Sequence, residues 1–177
     1  MELFEANFNI HEAREAAKAD PDFLGGIAMP EVFAHCWPPV FRSAWEVLLT
    51  YVHASKDDGE DWIEKVFAKI AIGLPRGFGK TTVIKLFILY CILFTDRKFI
   101  LVFSATAGHA RNIISDVCDM LNEPNIRVIF GDWRLGLEKD TQDLKKFGFL
   151  GRNIIIAGIG AGGSVRGLNL KHSRSRS

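Results

Sequence analysis

The sequence predicts a three-layer α/β domain with a mainly parallel sheet, preceded by helices at the N-terminus. From residue 67 onward, short apolar runs alternate with longer segments that have helical periodicity. The runs at residues 99–103 and 153–157 are almost continuously apolar, as is typical of parallel strands buried on both faces. Turns rich in glycine or polar residues separate these elements. Such alternation is typical of a parallel sheet covered by helices.

The N-terminal part of the chain indicates a helical region. Asn9 and Glu12 have the spacing of a capping box, and Pro21 closes the helix that follows them. A second helix is expected after Pro39, because apolar residues recur there every three or four positions. Its predicted apolar face comprises Phe41, Ala44, Trp45, Leu48, Tyr51 and Val52. We therefore divide the chain into a helical region at residues 1–60 and an α/β domain at residues 61–177.

The α/β domain is expected to open with a strand, a special turn and a helix. Residues 67–72 are predicted to be the strand, residues 73–79 the turn and residues 80–94 the helix. The apolar stretch at residues 83–94 is interrupted by Lys85 and is too short to cross a bilayer. We interpret it as a buried helix and expect no membrane partner.

The remainder of the domain contains one clear helix and one polar excursion. Apolar residues at helical spacing predict a helix at residues 107–121, which Asn122 and Pro124 end. Residues 131–151 are polar and predict a hairpin or an irregular loop.

Composition limits the class of protein. The net charge of +1 excludes a strong basic field over the whole chain, so any nucleic acid must be met by a local patch or by another part of the protein. The three cysteines are odd in number and far apart, which indicates reduced thiols and neither a disulfide framework nor a metal site. The acidic start lacks the pattern of a signal peptide.

The sharpest motif is the run from Pro75 to Thr82, which reads Pro-Arg-Gly-Phe-Gly-Lys-Thr-Thr. A glycine-bearing loop that opens a helix can direct several main-chain N–H groups at a phosphate. Lys80 then supplies the charge for the β- and γ-phosphates, and the Thr81 hydroxyl ligates Mg²⁺. The usual motif begins with glycine, whereas this chain has Leu74 at that position. The alternative is a glycine-rich helix start with an incidental lysine.

Arg76 lies inside this loop, where most phosphate loops carry no arginine. From there its guanidinium can reach the γ-phosphate and neutralise charge that develops in the transition state. The alternative interpretation is an ordinary surface arginine on a loop.

Three motifs in order resemble the large terminase subunits of tailed bacteriophages. The loop at residues 75–82 resembles the phosphate loop of that family. Residues 99–106, Phe-Ile-Leu-Val-Phe-Ser-Ala-Thr, resemble its second strand and the turn of small residues after it. Residues 158–167 resemble the glycine-rich segment that ends in Arg-Gly before the acidic Walker B strand. The resemblance runs from about residue 70 to residue 176.

The resemblance implies a P-loop ATPase with roles for individual residues. Lys80, Thr81 and Thr82 match the positions that hold phosphate and Mg²⁺. Arg76 matches a loop arginine that acts within its own subunit, and Arg166 matches an arginine that acts on the nucleotide of a neighbouring subunit. The implied nucleotide-binding set is Pro75, Arg76, Gly77, Phe78, Gly79, Lys80, Thr81 and Thr82, with ATP and Mg²⁺ as cofactors.

The resemblance also implies partners. Members of the family translocate double-stranded DNA into a capsid in the host cytoplasm, as a homo-oligomeric ring that meets a portal protein and a small terminase subunit. Two alternatives stay open. One is another P-loop motor, such as a helicase-like ATPase, and the other is an ATP-binding module that does not hydrolyse the nucleotide.

Several family features are not found in the sequence. The Walker B strand is expected to begin just after Ser177, and the nuclease domain of the family is absent. Gln142 is the only glutamine, so no N-terminal glutamine reads adenine. Phe41 or Trp45 could stack on the base, although core packing is the simpler role for both. Asp132 follows a short apolar run and is the alternative acid for a metal, but we interpret it as a loop residue.

Overall fold

A computed structural model describes residues 9–33, 37–52, 70–73, 75–77 and 79–162. Its helices are α1 (Ile10–Ala19), α2 (Pro21–Ala28), α3 (Pro39–Val52), α4 (Lys80–Phe94), α5 (Ala107–Asn122) and α6 (Pro124–Phe130). A short 3-10 helix spans Trp133–Gly136. The strands are β1 (Phe99–Ser104), β2 (Leu137–Asp140), β3 (Leu144–Phe149) and β4 (Arg152–Gly160). The described residues thus form a mixed α/β fold.

The first helix begins as the capping box predicts. The side chain of Asn9 accepts hydrogen bonds from the main-chain N–H groups of His11 and Glu12, at 3.0 and 3.4 Å. Its amide also donates to the Glu12 carboxylate at 2.9 Å. Pro21 does more than end α1, because Asp20 caps a new helix that has proline in its first turn. Helix α2 was not predicted.

Helix α4 is the central helix of the described core. It is apolar around most of its circumference, and its buried residues are Val83, Leu86, Ile88, Leu89, Tyr90, Cys91, Ile92 and Leu93. Trp45 of α3 is 2% exposed and packs edge-on against Tyr90, with ring centroids 5.4 Å apart. The prediction of a buried helix here is confirmed. Among the described residues, no helix is long and apolar enough to span a membrane.

The four strands form one sheet in the order β1-β4-β3-β2. Strands β1 and β4 are parallel, with Phe99 opposite Ile155 and Ser104 opposite Gly160. Strand β3 is antiparallel to both β4 and β2. The strand predicted around residues 153–157 is confirmed. Of the two alternatives predicted for residues 131–151, a hairpin or an irregular loop, the structure has the hairpin, formed by β2 and β3.

The predicted mainly parallel sheet is not found among these strands, since two of the three pairings are antiparallel. The reason is the length of the connections, because a few residues can join only antiparallel neighbours. Leu150 and Gly151 alone connect β3 to β4, and both have positive φ, at 51° and 74°. These values match the tight hairpin turn that twisted strands prefer. The parallel pair is the one whose strands are far apart in the chain, with α5 between them.

Helix α5 covers one face of the parallel pair at close range. A Cβ atom at Gly158 would lie 2.8 Å from Ile114 Cδ1 and 3.2 Å from Ala110 Cβ, so the helix packs where β4 has no side chain. A Cβ atom at Gly160 would lie 2.3 Å from the main-chain N of Ala107. A similar contact joins the 3-10 helix to β3, where a Cβ at Gly136 would lie 2.0 Å from the Gly148 carbonyl oxygen.

The opposite face of β1 is apolar and exposed, so the prediction of a strand buried on both faces is wrong for β1 within the described structure. Phe99, Leu101 and Phe103 alternate along the strand and are 38, 42 and 65% exposed. Helix α4 packs against α5 and α3, which leaves the described part of the chain without the second helical layer that a three-layer domain requires.

The strand predicted to enter the phosphate loop is not found in its described part. Residues 70–72 have no strand conformation, and Ile70 and Ile72 are 37 and 39% exposed. Residues 67–69 lie outside the described part of the chain. The main chain at residues 70–72 joins no strand of the described sheet, so the apolar composition of this run alone was an insufficient guide.

Two arginines connect separate elements. Arg152, the first residue of β4, donates through Nη2 to the Ile92 carbonyl oxygen at 2.6 Å, near the C-terminus of α4. Arg111 of α5 holds Asp143 between β2 and β3 with two hydrogen bonds, at 2.5 and 3.2 Å. These hydrogen bonds lower the pKa of the Asp143 carboxyl.

Candidate nucleotide-binding site

The predicted phosphate loop is described at Pro75, Arg76, Gly77 and Gly79, while Leu74 and Phe78 lie outside the described residues. The described loop residues are exposed and Arg76 and Gly77 form a turn. An exposed loop that leads directly into a helix is accessible to a ligand. The predicted sequence of an exposed loop followed directly by a helix is therefore present.

Both described loop glycines have main-chain conformations that suit glycine. Gly77 has φ of 86°, and Gly79 has φ of 65° and ψ of 22°, in the left-handed helical region. Gly79 is also the residue that precedes α4, and its carbonyl accepts the first helical hydrogen bond, from Val83 N at 3.1 Å. A residue with a Cβ atom would strain both positions. Gly77 and Gly79 thus let the chain curl into the first turn of α4.

The first turn of α4 presents a lysine and two hydroxyls. The ammonium of Lys80 donates to the Pro75 carbonyl oxygen at 2.8 Å, so the side chain reaches back across the loop. Thr81 and Thr82 are half-buried beside it. Helix α4 begins without a side-chain cap from the described residues and without an acidic residue in its first turn. The positive end of the helix dipole and the Lys80 ammonium therefore lie at the same end of α4.

An aromatic cavity of about 320 Å³ lies next to the loop. Gly79 and Thr82 contribute to its wall from the loop side, and Phe33, Trp37 and Phe41 contribute from the N-terminal region. Phe41 also lies beside the loop, because an added Cβ atom at Gly79 would be 3.6 Å from Phe41 Cζ. The loop and the cavity are thus continuous.

The sequence suggested Phe41 and Trp45 as aromatic residues near the base, but it did not suggest Phe33 or Trp37. Trp45 is in the core, as expected, and does not line the cavity. A signal was present in the sequence, because Phe33, Trp37, Phe41 and Trp45 recur every four residues. Because Pro38 and Pro39 interrupt this run, the spacing alone does not predict that the four rings form one cluster.

A second cavity, of about 530 Å³, is also lined by Thr82 and has acidic walls. Asp116, Asp119, Glu123 and Glu31 line it together with Lys85, and Lys85 forms an ion pair with Asp116. This negative region does not suit a phosphate.

Of the two remaining candidate residues, Asp132 and Arg166, only Asp132 lies in the described part of the chain. Asp132, the alternative acid, accepts hydrogen bonds from the Arg134 main-chain N–H at 3.0 Å and from Arg127 Nη2 at 2.6 Å, as a loop residue that caps the 3-10 helix. Arg166 lies outside the described residues, so its predicted role stays a prediction. Within the described ranges, no group of three or more His, Cys, Asp or Glu side chains is arranged to hold a metal ion.

Comparison of the chain with protein-family models, with curated proteins and with solved structures gives no match.

Proposed function

We propose that this chain is the ATP-binding part of a viral DNA-packaging terminase motor, which couples ATP hydrolysis to the movement of double-stranded DNA into a capsid. The observation that carries the nucleotide-binding part is the geometry around Lys80. Its ammonium lies across the loop at 2.8 Å from the Pro75 carbonyl oxygen, at the start of a fifteen-residue helix. The choice of a terminase among P-loop motors rests on the three ordered motifs.

In this proposal, phosphate binding exchanges one partner of Lys80 for another. A triphosphate accepts more strongly than a main-chain carbonyl, since hydrogen bonds between charged groups are the stronger ones. The ammonium then moves from Pro75 to the β- and γ-phosphates, and the N–H groups of the first turn of α4 donate to the same anion. Gly77 and Gly79 allow this close approach because they lack side chains.

In this proposal, Mg²⁺ binds together with the nucleotide. Mg²⁺ commonly takes most of its ligands from phosphates and water and only one or two from protein. The Thr81 hydroxyl, next to Lys80 in the first turn of α4, fits such a single ligand. The lack of an acidic metal cluster in the described ranges is compatible with this arrangement.

Arg76 and Arg166 have separate roles in the proposal. Arg76 lies in the loop itself, so it would stabilise transition-state charge on the nucleotide of its own subunit. Arg166 follows the glycine-rich end of β4 in the sequence and would act on the nucleotide of a neighbour. A homo-oligomeric ring, a portal protein and a small terminase subunit are the proposed partners, on the same resemblance.

Binding and hydrolysis of MgATP test the nucleotide-binding part. Lys80→Ala should weaken MgATP binding by at least about tenfold, because it removes a charge-assisted hydrogen bond worth about 1.5–3 kcal/mol. Lys85→Ala is a matched control, since it removes the same charge from the same helix on the acidic side. Isothermal titration calorimetry gives the affinities, and circular dichroism checks the fold. Equal affinity in the parent and Lys80→Ala proteins would rule out the phosphate loop.

A phosphate-release assay then separates an ATPase from a module that only binds ATP. Turnover that requires Lys80 and rises with double-stranded DNA supports a DNA motor. Binding without turnover in the assembled protein supports the non-hydrolysing alternative.

A further inference from the structure

A third cavity, of about 270 Å³, lies where helix α1 meets the C-terminal end of α4, helix α6 and the turn between β3 and β4. Its described walls include no residue of the phosphate loop. One part of the lining is apolar, and the other part consists of charged side chains of α1. The apolar residues are Leu93, Phe94, Phe130 and Leu150, and the charged residues are Arg14, Glu15 and Lys18.

Arg14 is held in a defined position at this cavity. Its Nε donates to the Ile129 carbonyl oxygen at 2.8 Å, and its guanidinium carbon lies 5.7 Å from the centre of the Phe130 ring. The first contact attaches the side chain to α6, and the second is a cation–π contact that keeps the guanidinium over the ring. Within the described ranges, Nη1 and Nη2 of Arg14 make no hydrogen bond. Two donor nitrogens of one planar group therefore remain for an acceptor from outside.

The charges around the cavity favour one anionic group. Lys18 lies one helical turn after Arg14, so both cations are on the same side of α1. Neither forms an ion pair with a described residue, although Glu15 lines the same cavity. Arg152 offsets the negative end of the α4 dipole nearby, since its Nη2 lies 3.5 Å from the Leu93 carbonyl oxygen. Two cations and one carboxylate line the cavity, so a single added negative charge is balanced there.

We infer that this cavity binds a small carboxylic acid with an apolar body, whose carboxylate pairs with Arg14 and whose body contacts the apolar wall. A guanidinium matches a carboxylate because two parallel N–H groups donate to its two oxygens. A volume of about 270 Å³ admits a body the size of one ring and is smaller than sites for drug-sized ligands. The inference does not depend on the proposed nucleotide site, which lies at the other end of α4.

Phenylacetate is the probe, because it joins one carboxylate to one aromatic ring. We would titrate the ¹⁵N-labelled protein at about pH 7, where the acid is ionised, and follow the amide signals by NMR. Phenylacetamide is the neutral analogue, and acetate is the analogue without a ring. Phenylacetate should shift the amide signals of Leu150 and Gly151, and it should bind at least about fivefold more tightly than either analogue.

Two variants should change the affinity in opposite directions. Arg14→Lys keeps the charge but loses the paired N–H groups, so it should weaken phenylacetate binding about fivefold. Glu15→Gln removes a negative charge from the wall and should tighten binding about twofold. Glu15 makes no ion pair with a described residue, so this variant keeps the test valid if Arg14→Lys proves unstable. Arg134→Lys is the matched control outside the cavity and should bind as the parent does.

Each contrary outcome overturns a stated part of the inference. Equal affinity for phenylacetate and phenylacetamide would remove the role of the charge, and equal affinity for phenylacetate and acetate would remove the apolar contact. Unchanged binding in both Arg14→Lys and Glu15→Gln would mean that the acid binds elsewhere. Lys80→Ala should bind phenylacetate as the parent does, and a loss of binding there would assign the acid to the phosphate loop. Phenylacetate binding by a protein that does not bind MgATP would overturn the proposed function alone.

Discussion

Arg152 donates a hydrogen bond to the main-chain carbonyl of Ile92, and this contact joins the start of β4 to the last turn of the helix that begins at Lys80. The donor and acceptor atoms are 2.6 Å apart, and Leu93 O lies 3.5 Å from the same nitrogen. The cation thus satisfies carbonyls that have no partner within the helix and faces the negative end of the helix dipole.

We expect Arg152→Met to lower the free energy of unfolding by about 1–2 kcal/mol, because it leaves these partly buried carbonyls without their donor. Methionine keeps most of the aliphatic volume, so the loss reflects the charge and the hydrogen bond. Urea unfolding followed by circular dichroism measures it. Arg134→Met removes an exposed arginine elsewhere and should cost less than about 0.5 kcal/mol. Equal stability of the two variants would show that the Arg152 contact contributes nothing.

Gly160 is expected to tolerate no side chain. An added Cβ atom would lie 2.3 Å from Ala107 N and 2.8 Å from Thr106 C, which are main-chain atoms at the start of α5 and cannot rotate away. Gly160→Ala should therefore lower the free energy of unfolding by about 3 kcal/mol or more. Thermal unfolding provides the measurement.

Gly108→Ala is the control for that prediction, because a Cβ atom there meets nothing within 4 Å and alanine favours a helix. It should leave the stability unchanged or raise it by up to about 1 kcal/mol. A Gly160→Ala protein as stable as this control would mean that α5 and β4 are further apart than described.

Burial is expected to protect two thiols from modification. It raises the pKa of Cys91 to about 12 and that of Cys118 to about 11, from an ordinary value of 9.0. Both groups are then neutral thiols at pH 8, whereas the thiolate is the reactive form. In a Cys36→Ser background, neither thiol should react with Ellman's reagent at pH 8 until urea unfolds the protein.

The raised pKa values of these thiols also determine whether the stability of the protein rises or falls with pH. Above pH 9, the unfolded chain loses protons that the native thiols retain. The stability from these groups is therefore complete below pH 9 and decreases as the pH rises to about 11 for Cys118 and about 12 for Cys91. Replacement of both cysteines by alanine should remove this part of the decrease. Rapid labelling of the native protein, or the same alkaline decrease after replacement, would contradict the prediction.

Arg76 and Arg166 are expected to differ in a mixing experiment on the assembled motor. Each alanine variant alone should lose ATPase activity, on the order of 10³-fold for an arginine that stabilises the transition state. Mixing Arg166→Ala subunits with Lys80→Ala subunits should restore some phosphate release, because mixed interfaces pair an intact arginine with an intact phosphate loop.

Mixing Arg76→Ala with Lys80→Ala subunits should restore none, since both defects lie in the site of one subunit. Failure of the Arg166 mixture at every ratio would show that Arg166 does not act on a neighbour.

Much of the fold could be predicted from local signals in the sequence. Signals that depend only on neighbouring residues correctly predicted several elements. They are the capping box at Asn9, the apolar spacing of α3 and α5, and the continuous apolar runs of β1 and β4. Helices α2 and α6 were missed, although each begins with proline in its first turn. A proline was interpreted as the end of one helix where it also begins the next.

The remaining differences depend on contacts between distant residues. No local signal sets the direction in which β3 pairs with β4, and the turn between them uses Leu150 at positive φ, where asparagine or glycine is usual. The aromatic cavity depends on how the segment around Trp37 packs beside Gly79, so its walls could not be predicted by spacing alone. The phosphate loop was recognisable because its chemistry lies in consecutive residues.

Because of the contact between Gly136 and Gly148, two adjacent positions of this chain should differ greatly in their tolerance of mutation. Any Cβ atom at Gly136 would lie 2.0 Å from a main-chain oxygen of β3, and neither main chain can move without separating the 3-10 helix from the sheet. Its neighbour Leu135 is 90% exposed. In a saturation library selected for folded protein, position 136 should retain glycine alone, while position 135 should accept almost every amino acid.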